Sequence, residues 1–261
     1  MKEELRIIKK NNEFPLSLEL FKENLTIDLS NNIIFLAGDN GSGKSTILDM
    51  IAYMSNSLRI AHEQNYNSID FKAFKGVQKY CSLSLKGYKN KYYFRSEDFI
   101  TYINFLHKEK AYSLKELERI NIEYKNKSKF ALQQAQAPFS KTIYEIESMY
   151  NKDLLEQSHG QSYLDFFSSR LRENTLYILD EPEAALSFNS LLVFISFIKQ
   201  YIDKGSKFII ATHSPVLLAM EEAVIYEITN NEIKKSSFDD LEQINLLKSF
   251  LKNPNSYLKH L

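Results

Sequence analysis

A glycine-rich segment near the front of the chain constrains the fold more than any other feature. Residues 38–45 read Gly-Asp-Asn-Gly-Ser-Gly-Lys-Ser, which matches the pattern G-x-x-x-x-G-K-[ST]. An apolar run over 32–37 precedes this segment, and apolar residues near helical spacing follow it over 46–58. Glycines let backbone N–H groups point at phosphate oxygens, and a following helix adds its positive N-terminal end. The sequence therefore predicts a phosphate-binding loop between a buried strand and a helix.

This loop supplies candidate ligands for a nucleotide and a metal ion. We expect Lys44 to reach the β- and γ-phosphates and the Ser45 hydroxyl to ligate Mg²⁺. The predicted cofactors are therefore ATP and Mg²⁺. The candidate nucleotide-binding residues are the loop and the residue after it: Gly38, Asp39, Asn40, Gly41, Ser42, Gly43, Lys44, Ser45 and Thr46.

Two neighbouring carboxylates end a second apolar segment. Asp180 and Glu181 follow the run Leu-Tyr-Ile-Leu at 176–179, which is typical of a buried strand. Because neighbouring residues of a strand point in opposite directions, the two acids would have different roles. We expect Asp180 to hold Mg²⁺ through water and Glu181 to act as the general base on the attacking water. The alternative is a solvated acidic turn before Pro182.

A histidine follows a third apolar segment. His213 comes after the run at 207–211 through Thr212. Ligands of open parallel α/β sheets bind beyond the carboxyl ends of the strands, which is where this imidazole would lie. His213 is therefore a candidate catalytic residue that senses or stabilises the γ-phosphate, and a purely structural histidine is the alternative.

The order of the segments predicts the fold class. Buried strands over 32–37, 175–179 and 207–211 indicate an α/β fold with a parallel core sheet. The stretch from 99 to 157 is rich in Lys, Glu, Gln and Tyr, and apolar or aromatic residues fall at helical intervals at 114, 117, 120 and 124. It predicts a mostly helical lobe, inserted into a single domain that spans 1–261. A last helix is expected within 241–261. Shorter segments predict a flanking antiparallel sheet: 5–8, 16–20, 25–29, 80–85 and 92–95.

Composition restricts the partners. The 33 Lys plus Arg balance the 33 Asp plus Glu, so no overall field attracts nucleic acid or an acidic membrane. A single cysteine, Cys81, excludes an internal disulfide framework and suits a reducing compartment. Residues 1–12 lack the apolar stretch of a secretory signal, and the apolar runs 191–198 and 208–211 are far shorter than the roughly 20 residues of a membrane span. We therefore expect a cytoplasmic protein without direct membrane insertion.

The order of the motifs resembles that of the ABC ATPase superfamily. The segment 157–161, Gln-Ser-His-Gly-Gln, is similar to that family's Leu-Ser-Gly-Gly-Gln signature at Ser158, Gly160 and Gln161. The segment 182–187 looks like the family's D-loop. This resemblance implies a P-loop NTPase fold of the ABC ATPase type and an ATP-dependent homodimer, in which the signature of one subunit meets the nucleotide of the other. An ordinary helix cap at Ser158 is the alternative.

The amino-acid sequence around the D-loop resembles one branch of this superfamily more than the others. Asp-Glu-Pro-Glu-Ala-Ala-Leu-Ser at 180–187 is similar to stand-alone bacterial ATPases of the OLD-type and SMC-related branch, whereas transporter subunits carry Thr-Ser-Ala-Leu-Asp after Asp-Glu-Pro. The resemblance implies a switch or motor in nucleic-acid maintenance or phage defence, with an effector protein or nucleic acid as partner. Two other functions stay open: the ATP-binding subunit of a membrane transporter, and a binding module in which ATP is a structural clamp.

Three further assignments depend on weaker patterns. In the family, a glutamine contacts Mg²⁺, but neither Gln64 nor Gln78 clearly ends a core strand. Glu97, just after the segment 92–95, is therefore the substitute candidate metal ligand, with a plain surface glutamate as the alternative. Phe14 could stack on adenine or belong to the core. The aromatic and basic run at 89–95 could bind single-stranded nucleic acid or form a strand with one buried face.

Overall fold

The computed structural model describes residues 2–59, 72–148, 159–229 and 232–259. Within these ranges the strands are β1 (Glu4–Ile7), β2 (Thr26–Asp28), β3 (Ile33–Ala37), β4 (Leu58–Arg59), β5 (Cys81–Ser84), β6 (Asn90–Arg95), β7 (Thr175–Asp180), β8 (Lys207–Ala211), β9 (Val224–Ile228) and β10 (Ile233–Ser236). The helices are α1 (Lys44–Ser55), α2 (Ser96–Glu123), α3 (Lys129–Ser148), α4 (His159–Ser168), α5 (Phe188–Asp203), α6 (Pro215–Leu218), α7 (Glu242–Lys252) and α8 (Asn255–Leu258).

The main sheet has the strand order β10-β9-β3-β8-β7-β6-β4. Its pairings are parallel except for β10, which pairs antiparallel with β9. Strands β3, β7 and β8 are buried at every position because helices or a second sheet cover both faces. The predicted α/β fold with a parallel core sheet is therefore confirmed, and the carboxyl ends of β3, β8 and β7 lie side by side.

A second, antiparallel sheet of order β2-β1-β5 packs on the face that also carries α1. The flanking sheet is thus confirmed, but two of its predicted members are not in it. Residues 16–20 form hydrogen-bonded turns, in which Ser17 donates its N–H to the Glu13 carbonyl at 3.0 Å. Leu16 and Leu20 are nevertheless buried. A turn whose leucines reach the core therefore has the same alternation of apolar and polar residues as a strand.

The segment 92–95 belongs to the main sheet as part of β6, parallel to β7. Tyr93 and Phe94 are buried on opposite faces of that sheet. The proposed stacking of bases on this run is therefore wrong for these two rings, because both faces of the strand are covered.

A long helical hairpin follows β6. α2 begins at Ser96, immediately after the strand, and α3 packs against it and ends at Ser148. The rest of the expected lobe, 149–157, lies outside the described residues. After the phosphate loop, α1 ends at Ser55, earlier than the apolar spacing suggested, because Leu58 already lies in β4.

A buried ion pair connects the first residues of the chain to the main sheet. The Lys207 ammonium, which is fully buried at the start of β8, donates hydrogen bonds to the Glu3 carboxylate and to the Leu29 carbonyl. Glu3 also accepts from the Tyr88 hydroxyl at 3.3 Å and from the Lys86 N–H at 2.5 Å. Both charges are thus paired and hydrogen-bonded where water is excluded.

We expect the substitution Lys207→Ala to lower the free energy of unfolding by about 3 kcal/mol, since it leaves the Glu3 carboxylate buried without its countercharge. Urea unfolding followed by circular dichroism would measure the change. Lys199→Ala is the matched control, because Lys199 pairs with Glu222 at 3.0 Å on the surface and should cost less than about 1 kcal/mol. Equal effects of the two substitutions would contradict the prediction.

Candidate nucleotide-binding site

The glycine-rich loop turns sharply between β3 and α1. Gly38 has φ 147°, and a Cβ at this position would lie 2.1 Å from the carbonyl oxygen of Ile228, so only glycine fits. Gly43 has φ 101° and a left-handed conformation immediately before the first residue of α1. The loop therefore delivers the backbone N–H groups of a helix N-terminus to the carboxyl edge of the sheet, which is an anion-binding geometry.

Two buried polar side chains of the loop are suited to a phosphate group. Lys44 is only 4% exposed, and its Nζ donates to the carbonyl oxygens of Gly38 and Asp39 at 2.8 Å each. Burial lowers the pKa of Lys44, while the carboxylates of Glu181 and Asp180 oppose this shift. The Ser42 Oγ is buried and has no hydrogen-bond partner among the described residues. A bound phosphate would supply acceptors for both groups.

A hydroxyl and a carboxylate meet beside the loop. Ser45 Oγ donates to Asp180 Oδ1 at 3.2 Å, which joins the first turn of α1 to the end of β7. Burial raises the pKa of Asp180 to about 6, against the opposing effects of the Ser45 hydrogen bond and the Arg95 charge. Among the described residues, no cluster of three or more His, Cys, Asp or Glu side chains is arranged for a metal ion. Two hard oxygens beside the glycine-rich loop nevertheless fit Mg²⁺, which usually completes its shell with phosphates and waters.

Glu181 and His213 lie together at the ends of neighbouring strands. Glu181 has a left-handed backbone conformation, with φ 48° and ψ 51°. Such a conformation costs roughly 1–3 kcal/mol in a residue other than glycine, and residues strained in this way are concentrated at functional sites. Its side chain is 45% exposed, and its Oε1 lies 3.4 Å from His213 Nε2. That imidazole nitrogen is buried and has no aligned hydrogen-bond partner among the described residues. The pair therefore places a carboxylate that can accept a hydrogen bond beside an imidazole nitrogen that has no hydrogen-bond partner among the described residues.

Arg95 is a site residue that the sequence analysis did not assign. Its Nη2 donates to both carboxylate oxygens of Asp49, at 2.7 and 2.6 Å, and its Nε lies 3.8 Å from Asp180 Oδ2. Tyr93 donates its hydroxyl to Asp49 Oδ1 at 2.7 Å. Asp49 is one helical turn after Ser45, and Arg95 is in register with Asp180 on the adjacent strand. A charged residue at the end of an apolar strand was the signal that could have indicated this network.

The signature residues are only partly within the described ranges. Ser158 lies outside them, while Gly160 and Gln161 are in the first turn of α4. A Cβ at Gly160 would lie 3.3 Å from the carbonyl oxygen of Ala185, so the start of α4 packs closely on the segment 182–187. Gln161 donates its side-chain amide to Asp165 at 3.1 Å. These described contacts do not connect either residue to the phosphate loop of the same chain.

The weaker assignments have mixed outcomes. Glu97 is exposed in the first turn of α2, and its described contact is a backbone one, in which its carbonyl accepts from Thr101 at 2.9 Å. Its role as a metal ligand stays a prediction. Phe14 is 49% exposed and packs edge-on against Phe74, so it is not a core residue, and its stacking on adenine also stays a prediction. Gln78 lies in a short 3₁₀ helix at Val77–Lys79, and Gln64 is outside the described residues.

The sheet order, the phosphate loop and the acidic end of β7 define a P-loop ATP hydrolase. The chain belongs to the AAA domain family, whose model matches residues 17–258. It is 27% identical over 256 residues to the tungstate uptake system ATP-binding protein TupC of Campylobacter jejuni, an alignment that covers 89% of this chain and 69% of the relative.

Two solved structures are similar at low identity. A nucleotide-free ATP-binding cassette from an ABC transporter is 17% identical, with 98% of this chain and 97% of that chain covered and a TM-score of 0.48. The Smc head domain of Pyrococcus furiosus, solved with a bound ScpA domain, is 14% identical, with coverages of 96% and 98% and a TM-score of 0.43. Within the described ranges, no helix has the length and apolar character needed to cross a membrane.

Proposed function

We propose that this chain hydrolyses ATP with Mg²⁺ at the site formed by residues 38–46, Asp180, Glu181 and His213, and that two copies close around the nucleotide. The observation that carries the proposal is the contact between Ser45 and Asp180 at 3.2 Å, beside a buried lysine and an orphaned serine hydroxyl. This arrangement brings the glycine-rich loop and the carboxylate at the end of β7 together from positions 135 residues apart in the chain.

Each side chain has a distinct role in the proposed reaction. Lys44 binds the β- and γ-phosphates. Ser45, and Asp180 through water, would hold Mg²⁺, which would offset the negative charge of the phosphates. Glu181 accepts a proton from the attacking water while the water oxygen forms a bond to the γ-phosphorus. The bond from the γ-phosphorus to the oxygen bridging it to the β-phosphate then breaks, and ADP keeps that oxygen and its electron pair. His213, held 3.4 Å from Glu181, donates to a γ-phosphate oxygen.

The second copy would dock on the face that carries the start of α4 and the segment 182–187. This face is apolar as well as exposed, since Phe188 and Leu192 at the start of α5 are 63% and 48% exposed. Gly160 and Gln161 are at the adjoining end of α4 and would approach the nucleotide of the other subunit. Closure of two copies would exclude water around the reacting phosphate and strengthen the interactions there.

The metal-binding role gives a direct test. We expect Asp180→Asn to lower Mg²⁺-stimulated ATP turnover by about 10²-fold or more, since a neutral amide would hold the water shell of the cation less strongly than a carboxylate does. A fluorescent ATP analogue should still bind in the presence of EDTA, because Lys44 and the loop are unchanged. Asp203→Asn, an exposed residue at the end of α5, is the control and should retain full turnover. Unchanged Mg²⁺ stimulation in Asp180→Asn would contradict the assignment.

Two outputs of the ATP cycle are proposed. The similarity of the sequence at 180–187 to the OLD-type and SMC-related branch favours a switch in nucleic-acid maintenance or phage defence, with a separate effector protein or nucleic acid as partner. The similarity to an ATP-binding protein of a tungstate uptake system favours a transporter subunit instead, with the α2–α3 hairpin against a membrane partner. Affinity capture with a Glu181→Gln variant and ATP should separate them. A nucleic acid or effector would support the first output, and a multispanning membrane protein the second.

A further inference from the structure

We infer that Glu183 is a positioning residue that fixes His213 relative to Glu181 and links this alignment to the segment 182–187. The expected effect on ATP turnover rests on the proposed function. The hydrogen bonds of Glu183 do not, because this carboxylate is not among the residues assigned to the phosphates or to the metal ion. Glu183 lies in the short 3₁₀ helix Pro182–Ala185, which begins directly after the left-handed turn at Glu181.

One carboxylate oxygen of Glu183 receives three hydrogen bonds from the loop after β8. Its Oε1 accepts from the Thr212 hydroxyl at 2.6 Å, from the His213 N–H at 2.7 Å and from the Ser214 N–H at 3.1 Å. Hydrogen bonds to a charged carboxylate are shorter and stronger than neutral ones. The backbone of His213 is thus held by a charge that comes from the neighbouring strand end.

A second connection runs in the same direction. The Glu181 N–H donates to the Ala211 carbonyl at 2.9 Å, immediately before the loop that Glu183 holds. Residues 181–183 and 211–214 therefore form one hydrogen-bonded unit. This unit holds together the backbones of Glu181 and His213, whose side chains lie 3.4 Å apart. If Glu183 were removed, the imidazole could drift away from the reacting phosphate without any change in the phosphate loop.

The same unit touches the proposed dimer face. Ala185, two residues after Glu183, packs against the start of α4 at Gly160. A displacement of 182–187 on contact with a second copy would therefore pull on the His213 backbone through Glu183. This gives a physical route by which engagement of a second subunit aligns the γ-phosphate sensor.

Two substitutions separate the charge from the shape of this side chain. Glu183→Gln keeps the size and an accepting oxygen but loses the charge, and we expect kcat for ATP to fall roughly tenfold. Glu183→Ala removes all three contacts, and we expect kcat to fall roughly 100-fold with the KM for ATP changed less than about threefold, since misplacement of a catalytic group by about 1 Å has effects of that size. Glu173→Gln, an exposed glutamate before β7, is the matched control.

A double-substitution cycle and hydrogen exchange give the decisive readouts. If Glu183 acts through His213, then Glu183→Ala should lower kcat by less than about twofold in a His213→Ala background. In the nucleotide-free full chain, the amides of His213 and Ser214 should exchange about tenfold faster in Glu183→Ala, while those of β8 stay unchanged. Additive effects on kcat, unchanged exchange at residues 213 and 214, or equal acceleration across β8 would each overturn the inference. Full turnover in His213→Ala would instead contradict the proposed function.

Discussion

Replacing Glu181 with glutamine should lower kcat for ATP hydrolysis by about 10³-fold while ATP binding persists. General-base catalysis contributes roughly 10²–10⁴-fold, and glutamine keeps the size of the side chain but cannot accept the proton of the attacking water. The phosphate contacts of Lys44 and the contact between Ser45 and Asp180 are not altered. The loss should therefore appear in kcat and not in the dissociation constant for ATP.

The same variant should accumulate in an ATP-bound dimeric state. If ATP holds two copies together and hydrolysis releases them, blocking the chemical step leaves the closed state populated. Size-exclusion chromatography with ATP and Mg²⁺ should show a dimer for Glu181→Gln and a mixture or monomer without nucleotide. The exposed Glu221 offers a control, because Glu221→Gln should match the unmodified chain in both assays. Full turnover in Glu181→Gln would show that another group takes the proton.

The parts of the fold that the sequence predicts correctly are those set by short-range patterns. Strand β3, the loop after it and α1 follow one another directly in the chain. An apolar run, three glycines and apolar residues at helical spacing were therefore sufficient to predict all three. Strands β7 and β8 are buried on both faces, and continuous apolar runs are typical of such strands. The contact between Ser45 and Asp180 follows from the parallel sheet, because the carboxyl ends of β3 and β7, which lie on either side of β8, are at the same edge.

The parts that the sequence did not predict depend on tertiary contacts. Alternating leucines at 16–20 are equally compatible with a strand and with a turn whose two leucines reach the core, and only packing decides. Strand β6 begins with Asn90 and Lys91 and ends in a charge, so its place beside β7 was not visible in its own residues. Arg95 and Asp49 pair across 46 residues, and Glu183 meets His213 across 30. Such pairs have no spacing rule in a single sequence.

Replacing Lys44 with alanine should weaken ATP binding by about 10²–10³-fold, which corresponds to roughly 3–4 kcal/mol. Lys44 is 4% exposed, and its interaction with phosphate would take place largely out of water, where removal of one partner of a charged pair costs several kcal/mol. Isothermal titration with a non-hydrolysable ATP analogue would measure the dissociation constant. Unfolding temperature should change little, because within the described ranges the ammonium donates to two carbonyls of its own loop.

A second lysine distinguishes loss of phosphate binding from loss of a helix contact. Lys91 also donates to a backbone carbonyl, that of Ser55 at 3.0 Å, but at the opposite end of α1 from the phosphate loop. Lys91→Ala should therefore bind the analogue within about twofold of the unmodified chain, even if it unfolds at a slightly lower temperature. If Lys44→Ala and Lys91→Ala bound ATP equally well, the glycine-rich loop would not be the phosphate site. The assignment of Ser45 and Asp180 to the metal would then lose the phosphate ligands that Mg²⁺ requires.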